Sequence, residues 1–275
     1  MANILAIEKQ ITVISALAEG SSIRSIERMT GVNRNTIMSL GNRVGKACGK
    51  IMDEKMRGLA CSKIQMDEIW GFVGKKQRNL KLGDDRREVG DVWTFVSVDA
   101  DSRMVPSYFV GKRDSYSATC FVEDLAMRLN SERVQVSTDA LNAYVDAIER
   151  GFGSEVNYGQ IVKTYSALDL GEQRRYSPPE IVTVKRSIIS GNPDVQSIST
   201  SYVERQNLTM RMHMRRLTRL TNAFSKKMDS FKSAVALHFA YYNFVRMHKT
   251  LRMTPAMAGG VTDTIWSVAD LIDAQ

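Results

Sequence analysis

The chain has 275 residues, 43% hydrophobic and 25% charged; these are globular proportions, large enough for one sizeable domain plus a small one, and a formal charge of +8 points to a polyanionic partner such as nucleic acid. Cys48, Cys61 and Cys120 form no CxxC pair and no Cys/His metal spacing, which argues against a structural zinc site or a disulfide framework and for a reducing compartment. Glu8 and Lys9 interrupt the apolar N-terminal stretch, unlike a signal peptide, and no run reaches the roughly 18 apolar residues of a membrane span, so the expectation is a cytoplasmic protein with no membrane partner.

Residues 1–58 read as an all-α module. Apolar positions recur at Ile11, Ile14 and Leu17, at Ile23, Ile26 and Met29, and at Val32, Ile37, Leu40 and Val44. Ser21 or Ser22 can cap a second helix and Asn33 a third. Gly31 falls where a turn between two helices needs a positive φ, so residues 23–40 fit a helix-turn-helix. That arrangement leaves Arg34, Asn35, Met38 and Asn42 on or near the outer face of its second helix. The N-terminal end of such a helix meets base edges in the major groove, and Arg and Asn suit guanine and adenine. The module carries nine Lys/Arg against five Asp/Glu, which agrees with a DNA-facing surface.

The texture changes at Cys61. Residues 64–70 read as a strand, 83–90 as a charged connection, 92–98 and 104–110 as a hairpin around the turn residues Asp99–Arg103. A helix over 115–129, a strand over 134–138, a helix over 141–152 and a strand over 156–164 follow. Residues 166–200 hold three of the five prolines and little periodicity, and read as an irregular insertion. Long helices are predicted over 201–220 and 230–248, and a short one over 265–274. The division is 1–58, 59–252 and a tail over 253–275. A hairpin-connected run followed by alternating strand and helix implies an α/β fold, a mixed sheet with flanking helices in the ribonuclease-H-like order.

Three carboxylates fall at telling places in that order. Asp67 lies inside the apolar first strand, where a charge is costly unless paired or metal-bound. Asp139 ends the fourth strand, and ligand chemistry collects at such strand ends. Glu204 begins the helix after the insertion. Brought together, three hard oxygen ligands suit Mg²⁺ or Mn²⁺, and two such ions serve phosphodiester displacement. Other acids look less apt: Glu68 is expected on the opposite strand face from Asp67, Asp99 and Asp101 as turn residues, Glu123 and Asp124 on a solvated helix face, and Glu172 and Glu180 in the insertion. Residues 201–252 hold eleven Lys/Arg against Glu204 and Asp229 alone, a concentration suited to a phosphate backbone. On a helix continued through that segment, Glu204, Asn207, Arg211 and Arg215 share a face. His238 reads as packing, and Met210, Met212 and Met214 as packing or a partner surface.

Met66-Asp67-Glu68-Ile69-Trp70, Ser137-Thr138-Asp139-Ala140-Leu141-Asn142-Ala143-Tyr144 and Tyr202-Val203-Glu204-Arg205-Gln206-Asn207 resemble the three catalytic blocks of DDE transposases of bacterial insertion sequences, in the group typified by insertion sequence one. Tyr242-Asn243-Phe244-Val245-Arg246-Met247-His248, with Leu251 and Thr254-Pro255-Ala256, is similar to the tail of many such enzymes. The resemblance spans about residues 20–270, and departs in lacking the cysteine-rich zinc module with which some relatives open. It implies Asp67, Asp139 and Glu204 as catalytic and metal-binding residues, two Mg²⁺ (or Mn²⁺) as cofactors, and double-stranded DNA, both element ends and target, as partner. Arg34, Asn35, Asn42, Asn207, Arg211, Arg215, Arg246 and His248 are the DNA-contact candidates, and paired ends imply a homodimer or higher assembly. A ribonuclease-H-like nuclease and a non-enzymatic DNA-binding regulator derived from a transposase are the alternatives.

Overall fold

The computed structural model of the chain describes residues 5–131, 133–165, 181–218 and 221–274. Three helices come first: α1 (Ile7–Ala18), α2 (Ile23–Thr30) and α3 (Arg34–Lys55). Ser22 caps α2 by accepting from Ser25 N, and Gly31 ends it at φ 69°, as the turn requires. Asn33 caps α3 through Asn35 N, and Glu27 of α2 accepts from Arg34 N at 3.0 Å. Ile26, Val32, Ile37 and Leu40 are buried between these helices. α3 runs on for 22 residues, much farther than a turn-bounded recognition helix needs, and carries the module into the rest of the molecule.

A six-stranded mixed sheet, flanked by helices, follows. The strands are β1 (Lys63–Val73), β2 (Gly90–Asp99), β3 (Tyr108–Gly111), β4 (Val134–Thr138), β5 (Val156–Tyr165) and β6 (Ile181–Ser190). Their spatial order is β3-β2-β1-β4-β5-β6. β2 and β3 run antiparallel to their neighbours, β4 and β5 parallel to β1, and β6 antiparallel to β5. The α/β expectation holds at this level. α4 (Ser115–Arg128) and α5 (Ala143–Phe152) cover one face, where Phe95 meets Phe121 at 5.8 Å and Tyr144 at 6.2 Å between ring centroids. α6 (Ser201–His213) and α7 (Met228–Ala240) cover the other, where Tyr108 meets Phe239 at 4.8 Å. α8 (Pro255–Ala258) and α9 (Val268–Asp273) close the chain.

Several boundaries differ from the sequence reading, each for a local reason. The third strand begins at Tyr108, not Met104, because Val105 is claimed by a side chain: buried Asn243 accepts from Val105 N and donates to Val105 O, both at 3.0 Å. Asn243 of the tail motif is thereby a structural pin. The stretch expected to be wholly irregular contains β6, missed because almost all its residues are exposed and so show no alternation of apolar and polar positions. The long helix expected over 201–220 stops at His213. Met214 turns out of helical geometry, and Arg215–Leu217 form a separate 3₁₀ turn. The other long helix breaks at Tyr241–Val245 into a π-helical turn.

The three-helix module shares one apolar core with the sheet. Gly45 of α3 lies so close to Ser233 of α7 that any Cβ would collide with backbone, so the two helices approach at a point only glycine allows. Arg128, at the end of α4, donates to Asp124, to Asp53 Oδ1 at 2.9 Å and to Met52 O at 2.8 Å. Asp124, expected on a solvated face, is therefore a structural partner, while Glu123 is exposed.

A candidate acidic active site where strand four ends beside strand one

β4 pairs with β1 only along Lys63–Gln65. Continuing that register by two residues sets Asp67 level with Asp139, just past the end of β4. Beyond that point no strand pairs with this edge of β1, which stays open until Ser225 bridges Val73. Asp67 comes from the α6 face, since Gln65, two residues before it, accepts from Tyr202 N of α6 at 2.8 Å. Glu68 leaves from the opposite face, as its strand position demands. Its carboxylate nevertheless reaches those of Asp67 and Asp139. Carboxylate oxygens of Asp67, Glu68 and Asp139 all lie within 4.8 Å of one another. Glu68 thus keeps the strand face expected of it, and its end group still joins the other two acids where no strand stands beside β1.

These acids are held differently. Asp67 Oδ2 accepts from Asn207 Nδ2 at 2.8 Å. Burial, then repulsion from Glu68, Asp139 and Glu204, pushes its pKa up to about 7. Glu68 is nearly buried, with Arg113 Nη2 at 2.6 Å and Tyr144 Oη at 3.3 Å. Burial and Asp139 raise its pKa, and Arg113 and Tyr144 pull it back. Asp139 Oδ1 accepts from Leu141 N at 3.0 Å. Glu204, on the first turn of α6, lines the same cleft but is ion-paired with Lys163 of β5, and accepts from Thr200 Oγ1 at 2.6 Å. The cleft, of about 560 Å³, is lined by Asp67, Asp139 and Glu204 together with Arg113 and Lys163.

The arrangement suits a hard cation. The donors are all oxygen, and the amide oxygen of Asn207, the residue that holds Asp67, is itself buried without a hydrogen-bond partner among the described residues. Carboxylates that burial, and after it mutual repulsion, push toward neutrality are stabilised by a divalent ion placed between them.

The remaining candidates scatter. Arg34 and Asn35 are exposed at the start of α3, with Met38. Asn42 is not on that outer face: it is half-buried and its Nδ2 donates to Ser230 Oγ at 3.1 Å, because α3 packs on α7 from there on. Asn207 belongs to the acidic site. Arg211 is half-buried and donates to Leu217 O at 3.2 Å. Arg215 does not share the Glu204 face, since α6 has ended before it. Arg246 and His248 are half-buried beyond the π-helical turn, on the tail side of the molecule. Arg103 and Arg246 both lower the His248 pKa, after burial. His238 is buried, as expected of packing, and burial drives its pKa down to about 3. Met210 and Met214 are buried and Met212 exposed. Glu172 and Glu180 lie outside the described residues.

Sequence reading passed over Glu68, Arg113 and Lys163. Lys163 had a usable signal: it sits near the C-terminal end of a strand parallel to the two that carry Asp67 and Asp139. Arg113 had none, because its partner is 45 residues away. No protein-family model matches the chain, and no curated protein matches it significantly.

Proposed function

We propose that the chain is a DDE-type transposase, with a ribonuclease-H-like catalytic unit, that cuts DNA at the ends of a mobile element and joins them to a target. The observation that carries this is the β1–β4 register, which sets Asp67 level with Asp139, while α6 brings Glu204 into the same cleft and holds Asp67 through Asn207. The strand order β3-β2-β1-β4-β5, with the first three antiparallel and the next two parallel to β1, supports the fold reading, with β6 as an addition to its edge.

In this reading Asp67, Asp139 and Glu204 hold two Mg²⁺ or Mn²⁺, with Glu68 close enough to share in the set. Bound there, such ions supply Lewis-acid stabilisation of the attacking and leaving oxygens of a phosphodiester displacement. The chain's own residues prepare the site. Asn207 fixes the rotamer of Asp67 by its amide hydrogen bond. Lys163 offsets the charge of Glu204, and Arg113 that of Glu68, so four carboxylates can stand close together. These two cations also line the cleft and oppose the charge of an incoming phosphate. A water oxygen first displaces the 3′-oxygen at the element end, and the freed 3′-hydroxyl then displaces a 3′-oxygen of the target strand. No protein side chain becomes covalently attached to DNA.

The three-helix module, with Arg34 and Asn35 exposed at the start of α3, is the proposed reader of the terminal inverted repeats. A homodimer or higher assembly would pair the two ends. The test is strand transfer to a supercoiled target from pre-cut ends, which scores chemistry apart from end cleavage. Asp67→Asn, Asp139→Asn and Glu204→Gln should each lower joining by more than about a hundredfold, the scale of losing one electrostatic contributor to a transition state. Robust joining by any one of them defeats the reading.

A further inference from the structure

The open edge of β1 leads from the acids to a different kind of surface. Asp67, Ile69, Gly71 and Val73 alternate onto one face of the strand. A Cβ added to Gly71 would lie 2.9 Å from Leu217, so the turn that follows α6 is pressed onto that face. Val73 is bridged by Ser225 on the edge that no strand covers, since β2 holds its other edge. The chain between α6 and α7 therefore lies against β1 at Gly71 and Val73, about 13 to 20 Å along the strand from Asp67. Arg211 fixes this return: its guanidinium donates to Leu217 O at 3.2 Å, and its carbonyl accepts from Thr218 Oγ1 at 3.4 Å.

This return is cationic without opposition. From Arg205 to Met228 the sequence holds seven Lys/Arg and no Asp or Glu. The acids that flank it are engaged elsewhere: Glu204 pairs with Lys163, and Asp229 lies 4.0 Å from Lys46. Arg215, Lys226 and Lys227 are exposed. Arg216, among them, is half-buried, and its Nη1 donates to Ser225 Oγ at 2.6 Å. That neutral hydroxyl is the one partner of its guanidinium among the described residues. Burial lowers the Arg216 pKa, and no carboxylate acts to raise it. A cation taken out of water without a counter-charge is costly, and an anion arriving beside it offsets that cost. The rest of the guanidinium fork suits two oxygens of a phosphate. The acidic cleft contributes carboxylates, which repel a phosphodiester, so the grip on a strand has to come from cations beside it.

We infer that Arg216, with Arg215, Lys226 and Lys227 around it, clamps a backbone phosphate of DNA that runs from the acidic cleft along the open edge of β1. This rests on the reading of the chain as a DNA-processing enzyme, and adds the path of the strand and the residue that holds it. The contact reads no base, because a phosphate offers the same oxygens in every sequence. Ser225, which bridges Val73 and accepts from Arg216, ties the clamp to the strand that carries Asp67.

The experiment is fluorescence anisotropy in Ca²⁺ over a range of salt, with the full chain and a short duplex of random sequence. Arg216→Gln removes the charge and keeps a donor for Ser225 Oγ. It should weaken binding about tenfold and flatten the slope of log affinity against log salt by about 0.9, the share of one phosphate. Arg216→Lys should keep that slope. Arg150→Gln, exposed on the α5 side, removes the same charge elsewhere and should leave the slope unchanged. Inorganic phosphate should compete no better than chloride of equal ionic strength. In the wild type, bound duplex should shield Arg216 from phenylglyoxal, read by peptide mass spectrometry, a measurement that needs no variant to fold. A wild-type slope in Arg216→Gln overturns the inference, as does an equal loss in Arg150→Gln or an unshielded Arg216. Competition by inorganic phosphate that disappears in Arg216→Gln also overturns it, in favour of a site for free phosphate. Because the assay scores binding alone, failure of the strand-transfer test leaves the clamp standing, and failure of the clamp leaves the acidic chemistry standing.

Discussion

Asp67→Asn should make the cation-free chain more stable, and increasingly so as pH rises. The Asp67 carboxyl is pushed from its ordinary value near 3.8 to about 7 by burial and by Glu68, Asp139 and Glu204. Between those two pH values the native chain keeps a proton there that the unfolded chain has lost. Native stability therefore falls as pH rises, by about 1.4 kcal/mol for each pH unit. The favourable contribution is full below about pH 4 and gone above about pH 7, a total of about 4 kcal/mol as a ceiling. Asparagine carries no charge at any of these pH values and can still accept from Asn207. The gap between variant and wild type should thus grow from about 1 kcal/mol at pH 4.5 toward that ceiling at pH 8. For a chain of this length that is up to about 8 °C in Tm. Urea unfolding in EDTA at the two pH values measures it. Added Mg²⁺ should narrow the gap at pH 8, because a ligand at a hundred times its Kd adds about 2.7 kcal/mol to the wild type alone. Equal stabilities in EDTA at pH 8, or a gap that does not change with pH, would refute the crowded-carboxylate account.

Two further outcomes follow from ion pairs. Arg113→Met leaves the nearly buried Glu68 carboxylate without its cation; it should cost about 2–4 kcal/mol at pH 8 and less at pH 5, where that carboxyl can take up a proton, and Glu68→Gln in the same chain should recover most of it in a double-mutant cycle. Arg128→Ala should cost about 3–5 kcal/mol by urea unfolding, because it removes the buried guanidinium that ties α4 to Asp53 and Met52 of α3; Arg128→Lys should recover little, since one ammonium cannot reproduce that fork, and full recovery by lysine would show that charge alone matters there.

Local chemistry in the sequence was enough for the elements whose signals are local. Gly31, Ser22 and Asn33 mark the helix ends they occupy, because caps and left-handed turns depend on a few adjacent residues. The strands β1, β2, β4 and β5 were legible because each has a buried face or a buried run, β3 only in part, and α4 because its apolar stripe repeats at helical spacing. Asp67 and Asp139 were legible as candidates for the same reason: each is an acid at an apolar strand or its end. Tertiary structure decided what depends on distant partners. β6 is exposed on both faces, so only its pairing with β5 makes it a strand. Residues 104–107 look like strand, but Asn243 claims Val105. The end of α6 at His213 removed Arg215 from a face it would share in an unbroken helix, and α7 packing took Asn42 from the outer surface of α3. Glu68 joined the acidic cluster only because β4 stops early and leaves the edge of β1 open. Periodicity tells which face a side chain leaves from; where its end group arrives depends on what stands beside the strand, and that is set by residues far away in the chain.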